Sequence, residues 1–124
     1  MRVACVQINS GNDINSNFDL IFQKISEAKE LKADLVFFPE NATLLANSRT
    51  ELLDICKSTK YHDLINEIGK YAQSNAIWVF IGSAPIYLSE HNMLANRTHI
   101  YNPAGELVEF YDKMHLFNVT ISKD

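Results

Sequence analysis

Apolar residues along this chain recur with two different periods. Residues 2–8 carry Val3, Ala4, Val6 and Ile8 in a short β-branched run, closed by Asn9, Ser10, Gly11 and Asn12. That pattern predicts a buried strand and a loop. Ile14, Phe18, Ile21, Ile25 and Ala28 then return at helical spacing, with Phe22 on the same face and Asp13 or Asn15 available as the N-cap. Residues 34–38 form a second apolar strand, ended by Pro39, which has no N–H to give a ladder. The stretch 41–60 is less regular, with a short helix around 51–56. Tyr61, Leu64, Ile65, Ile68, Tyr71 and Ala72 make another amphipathic helix, stopping near Ser74 and Asn75. Residues 76–82 read as a third buried strand. After a polar turn at 89–92, residues 96–101 alternate as a fourth, and 107–111 return as a fifth. Between these two, Asn102-Pro103-Ala104-Gly105 suits a type I turn, with proline second and glycine fourth.

The resulting order, β-α-β-α-β-β-β, is an α/β pattern with a hairpin extension. Helical crossovers make the first three strands parallel, and tight turns make the fourth antiparallel and restore the fifth to the original direction. Glu40 follows the second strand and Lys113 the fifth, so both emerge on the same rim of the sheet. In open α/β sheets the rim at the carboxyl ends of the strands is where ligands bind.

Composition narrows the class. The 124 residues suffice for one small domain, and 47% hydrophobic content is that of a folded chain. A net charge of −4 with scattered Lys and Arg suggests neither a nucleic-acid nor an anionic-membrane surface. No leader or membrane-length apolar run is present, which makes a cytoplasmic location the default. No repeat or linker marks a domain boundary. The four glycines are scattered singly, so there is no phosphate loop, and His62, His91, His99 and His115 make no metal-ligand spacing with a cysteine. No cofactor and no metal are expected.

Chemistry concentrates in two segments. Glu40 follows Phe37-Phe38-Pro39, so its carboxylate is expected against apolar walls. Desolvation would there raise its pKa toward a value useful in a general base, with a nearby lysine pulling it back. Lys113 lies between Tyr111 and His115, beside Leu116 and Phe117, where a cation can stabilise an oxyanion. Taken singly, the commoner readings are a solvated loop carboxylate, a snorkelling surface lysine and, for His115, a hydrogen-bonded structural histidine. Cys5 falls in mid-strand, which predicts a core residue and not a reactive thiolate. Cys56, flanked by Asp54 and Lys57, reads as structural. A signal-less chain with two unclustered cysteines keeps both reduced.

Taken in order, these segments carry a family resemblance. Arg2-Val3-Ala4-Cys5-Val6-Gln7 resembles the opening strand of the nitrilase superfamily of carbon–nitrogen hydrolases. Phe38-Pro39-Glu40 resembles its glutamate motif. Residues 96–113, with Asn102-Pro103-Ala104-Gly105-Glu106 and the run Tyr111-Asp112-Lys113-Met114-His115-Leu116-Phe117, resemble its lysine motif. The resemblance implies the N-terminal half of an α-β-β-α sandwich, a mixed sheet with helices on one face. It also implies a Glu–Lys–Cys triad, with Glu40 as general base, Lys113 as oxyanion support and a thioester-forming cysteine. The matched core is closest to the branch that hydrolyses small ω-amides.

In that family the nucleophile follows the lysine motif on a later strand. Cys5 and Cys56 both precede Lys113 and match no nucleophile motif, so residues 1–124 are expected to form a partial carbon–nitrogen hydrolase domain without its catalytic cysteine. A further acidic residue between the lysine and the cysteine is absent as well. The leading expectation is a truncated amidase, inactive alone. Its small amide substrate would bind only on complementation. Alternatives are one half of a two-chain amidase whose partner polypeptide carries the C-terminal half, or a non-catalytic protein–protein interaction module. An unrelated flavodoxin-like binding domain is the remaining possibility. Half a sandwich leaves apolar sheet in water, which also favours self-association.

Overall fold

The computed structural model describes residues 1–115, so Leu116 and Phe117 of the lysine segment lie outside the described residues. The elements run β1 (Val3–Cys5), α1 (Ile14–Glu30), β2 (Leu35–Phe38), α2 (Arg49–Lys57), α3 (Thr59–Asn75), β3 (Trp78–Leu88), a 3-10 turn (Ser89–His91), β4 (Met93–Tyr101) and β5 (Leu107–Asp112). The strands lie side by side in chain order, with β1–β2 and β2–β3 parallel and β3–β4 and β4–β5 antiparallel. The short helix expected in the irregular stretch is α2, whose N-cap Ser48 accepts from Glu51 N. Asp13 caps α1, accepting from Asn15 N and Ser16 N.

All the helices pack on one face. Side chains alternate across a strand, and the members pointing toward the helices are buried: Val36 and Phe38 of β2, Val79 and Ile81 of β3, His99 and Tyr101 of β4. They meet Phe18, Ile21, Phe22 and Ile25 of α1 and Tyr61, Ile65, Ile68 and Ala72 of α3. Aromatic contacts tie the two helices, Phe22 stacking on Tyr71 at 4.0 Å and Phe18 meeting Tyr61 edge-on at 5.9 Å. His99 is buried there with its Nδ1 unpartnered, and burial pushes its pKa down to about 4, so the ring stays neutral.

The opposite face is uncovered, and this overturns two expectations. The first strand is shorter than residues 2–8 and only half buried, because alternate residues meet helices while Val3 and Cys5 face outward. Cys5 is therefore exposed and not a core residue, whereas Cys56 is buried, its thiol pushed up to about 11. On the same open face the Phe37 and Phe80 rings meet at a tilt, 4.3 Å between centroids, and Trp78 is 38% exposed.

The third strand is longer than expected. Gly82 and Ser83 do not end it but form an irregularity between Ile81 and Ala84, after which β3 continues paired to β4. Since β2 pairs only Trp78–Ile81, the continuation has no strand on that side, and Pro85 there removes no ladder bond. The fourth strand correspondingly begins at Met93, and the turn before it closes on Asn92 in the left-handed region. A turn closes over Asn102–Gly105, with Gly105 N donating to Asn102 O at 2.9 Å.

That turn is seated on α3. Gly69 lies so close that an added Cβ would stand 2.5 Å from Gly105 O, while Tyr101 Oη donates to Ile65 O at 3.1 Å. Alanine is ordinarily better than glycine in a helix by about 1 kcal/mol. Here the backbone collision outweighs it, with overpacking costing about 1–3 kcal/mol. Gly69→Ala is expected to destabilise the chain by about 1 kcal/mol net in urea unfolding; a stabilised variant would show that the turn yields.

Candidate active site

Three strand steps of about 4.8 Å separate β2 from β5, so groups following their ends start roughly 14 Å apart. The structure nevertheless brings Lys113 Nζ to 2.9 Å from Glu40 Oε1, across 73 residues of sequence. Both side chains lie along the open face over β3 and β4. The floor beneath them is low because Gly82 contributes no side chain; a Cβ there would stand 3.3 Å from Phe38 O and 4.0 Å from Thr98 Oγ1. The result is an open cleft of about 250 Å³ lined by Glu40, Gly82, Ser83, Asn96, Thr98, Tyr111 and Lys113. A second cleft, of about 280 Å³, reaches Glu40 from the side of Ile8, Asn9 and Ser10.

The loop that carries Glu40 is fastened on three sides. Ser83 N donates to Pro39 O and Ala42 N to Ser83 O, which brackets Glu40 against β3. Thr43 Oγ1 and the buried Tyr61 hydroxyl share a hydrogen bond of 2.7 Å, which fixes the loop to α3. Asn17 of α1, itself buried, donates to Gly11 O and Thr43 O and accepts from Gly11 N, leaving no side-chain atom of the amide unused. Asn41 follows Glu40 in the left-handed region at φ 53°, a conformation asparagine tolerates better than most residues.

Electrostatics differ from the expectation in one respect. Phe37 lies on the open face and Phe38 in the core, neither lines the clefts that reach Glu40, and the Glu40 side chain is 54% exposed. Its pKa is lowered, first by the hydrogen bond from Lys113 and partly opposed by desolvation. Glu40 is thus a carboxylate at neutral pH. Neither Ser83 nor Asn96 was singled out by sequence reasoning, yet both touch this arrangement: Asn96 Nδ2 donates to Glu40 Oε1 at 2.8 Å and Ser83 Oγ donates to Asn96 Oδ1.

The other candidates stay apart. Cys5 borders a different cleft, with Lys24 and Glu27 of α1, and Cys56 is buried with its Sγ toward Pro85 O. His115 is exposed beyond β5. Arg97 pairs bidentately with Asp112 at 2.7 and 2.8 Å and lies over the Phe110 ring, on the β4 face opposite Asn96. Among the described residues no group of three His, Cys, Asp or Glu side chains could hold a metal ion, and no helix is long and apolar enough to cross a membrane.

The carbon–nitrogen hydrolase family model matches residues 2–124. This chain belongs to the carbon–nitrogen hydrolase family. It is similar to a deaminated glutathione amidase of Yersinia enterocolitica, 30% identical over 97% of this chain and 42% of that protein. It is also 26% identical to the nitrilase and fragile histidine triad fusion protein of Drosophila melanogaster, over 95% of this chain and 25% of the relative. The solved structure of the C. elegans NitFhit protein superposes with a TM-score of 0.87 at 26% identity, covering 96% of this chain and 29% of that one. An amidase from Nesterenkonia sp. shares the fold with a TM-score of 0.79 at 21% identity, over 96% and 44%. This carbon–nitrogen hydrolase chain spans about a quarter to under half the length of the curated relatives it matches.

The Glu40–Lys113 pair has a defined pH dependence. A carboxylate whose folded pKa is depressed contributes stability above its unfolded pKa and loses it as pH falls through the folded one. The pair is solvent-exposed, which limits its worth to less than about 1 kcal/mol. Lys113→Met is expected to cost no more than that at neutral pH, and the difference from wild type is expected to vanish in acid. Urea unfolding across the acid range checks this; a penalty that persists in acid would assign Lys113 another structural role.

Proposed function

We propose that this chain supplies the base and the cation of a small-amide hydrolase, with the nucleophilic cysteine coming from polypeptide outside residues 1–124. The observation that carries the reading is the 2.9 Å pairing of Glu40 and Lys113 on the open rim, within a family of carbon–nitrogen hydrolases. The two cysteines of the sequence support the second clause, since Cys56 is buried and Cys5 borders another cleft. In a variant of the Nesterenkonia sp. AN1 amidase, the acetamide moiety of fluoroacetamide adds covalently at the active-site cysteine. A cleft of about 250 Å³ suits a comparably small amide group.

The chemistry follows from the two charges. Glu40 takes the proton of the incoming thiol, and the thiolate attacks the amide carbonyl carbon. Lys113 stands where negative charge develops on the carbonyl oxygen; its ammonium has three N–H groups and gives only one to Glu40 in the resting site. The C–N bond breaks as Glu40 returns the proton to the leaving nitrogen. Water, deprotonated in turn by Glu40, then hydrolyses the thioester and regenerates the thiol. As an exposed, lysine-paired carboxylate Glu40 is a weak base. Covering the open face would desolvate it and raise its pKa toward a working value.

The same covering accounts for the apolar open face, where Val3, Phe37 and Trp78 are exposed. The nucleophile-bearing half is the partner proposed for it, and a non-catalytic interaction module would use the same surface. Kinetics separate the two readings. With the nucleophile-bearing half of a family amidase added, the chain is expected to hydrolyse a small aliphatic amide. Glu40→Gln and Lys113→Ala are each expected to lower kcat by about 10³-fold. Full turnover in either variant would contradict the assignment, and an inactive but stable assembly would favour the interaction module.

A further inference from the structure

We propose that Asn96 is a positioning residue of this site, holding one oxygen of Glu40 so that the other is left to take the proton. The inference rests on Glu40 acting as the base. Asparagine is depleted in strand interiors, and Asn96 lies within β4 on the open face, in register with Pro85 of β3. A strand position that departs from local preference in this way commonly has a non-local task.

The hydrogen bonds define that task. Glu40 Oε1 accepts from both Asn96 Nδ2 at 2.8 Å and Lys113 Nζ at 2.9 Å. Both donors go to Oε1, and among the described residues none bonds to Oε2, which leaves that oxygen free to take a proton. Two donors converging on one oxygen resist rotation of the carboxylate in a way that one flexible lysine alone does not. The main chain of Asn96 acts on the second charge, since its carbonyl accepts from Lys113 N at 2.9 Å. One residue thereby places both charged groups, the base through its side chain and the cation through its backbone.

An amide is useful here only if its nitrogen faces Glu40, and Ser83 decides that orientation. The Ser83 hydroxyl accepts from Asn41 N at 3.3 Å, which leaves its single proton for Asn96 Oδ1. The polarity then runs in one direction: Asn41 N–H to Ser83 Oγ, Ser83 O–H to Asn96 Oδ1, Asn96 N–H to Glu40. The Asn96 amide accepts at its oxygen and donates from its nitrogen, as this place in the chain of bonds requires. Aspartate would place a second negative charge on Glu40, and leucine would fill the space without either bond.

The test is an acid titration of the 124-residue chain by NMR, following the Glu40 carboxyl carbon and the Asn96 side-chain N–H groups. Both resonances are expected to move with one midpoint, below that of a free glutamate. In Asn96→Leu the Glu40 midpoint is expected to rise toward the ordinary value. Ser83→Ala, the milder change, is expected to raise it as well and to uncouple the Asn96 resonance from it. An Asn96 amide that does not follow Glu40 in the wild-type chain overturns the proposal without any variant having to fold. With the nucleophile-bearing half added, Asn96→Leu is expected to lower kcat on the order of 10²-fold with KM little changed. Equal loss in KM alone would make Asn96 a binding residue and overturn the positioning role. The base assignment fails separately, if Glu40→Gln retains turnover, and the titration does not depend on that outcome.

Discussion

A sheet whose helices all lie on one side must leave its other side to water or to another polypeptide, and the rest of this molecule follows from that asymmetry. On the helix side, Phe18, Ile21, Tyr61, Ile68, Val36 and Ile81 are fully buried and give the chain its core. On the other side the same strands present Val3, Cys5, Phe37 and Trp78 to solvent. Monomeric proteins seldom expose a contiguous apolar surface of this kind without a use for it. The Glu40–Lys113 pair and its cleft lie on that same open side.

The site is precise despite its exposure because its supports are buried. Glu40 rides on a loop fastened to α1 by Asn17, to α3 through Thr43 and Tyr61, and to β3 through both backbone groups of Ser83. Each of these bonds is made by groups with few alternative partners, and an unsatisfied buried polar group costs more than the bond itself contributes. Lys113 is held by the β4 backbone at Asn96. The exposed ion pair is then a consequence of rigid backbone placement. It is not what holds the loop and the strand together, since an exposed pair is too weak for that.

How much of this was legible in the sequence varied with the range of the interaction. Helical spacing from Ile14 to Ala28 and from Tyr61 to Ala72 marked α1 and α3 correctly, and the crossovers and turns sufficed to put Glu40 and Lys113 on one rim. The run from Val3 to Val6 misled, because a continuous apolar stretch reads as buried on both faces when one face is in fact open. The same asymmetry undid the expectation for Glu40: Phe37 and Phe38 precede it but point to opposite faces of the sheet. Gly82-Ser83 resembled a strand end, whereas the chain bulges there and continues. Asn17, Ser83 and Asn96 gave no local signal, since polar residues of these types mark turns and caps just as often. Their roles depend on partners 13 to 56 residues away.

The central proposal is that this chain supplies the base and cation of a hydrolytic site whose nucleophile comes from other polypeptide. The most direct measurement is peptide-resolved mass spectrometry of the chain assembled with a nucleophile-bearing half and quenched in acid during turnover of a small amide. A hydroxylamine-sensitive acyl adduct is expected on a cysteine outside residues 1–124. An acyl adduct on Cys5 or Cys56 would contradict the claim, because it would place the nucleophile within this chain.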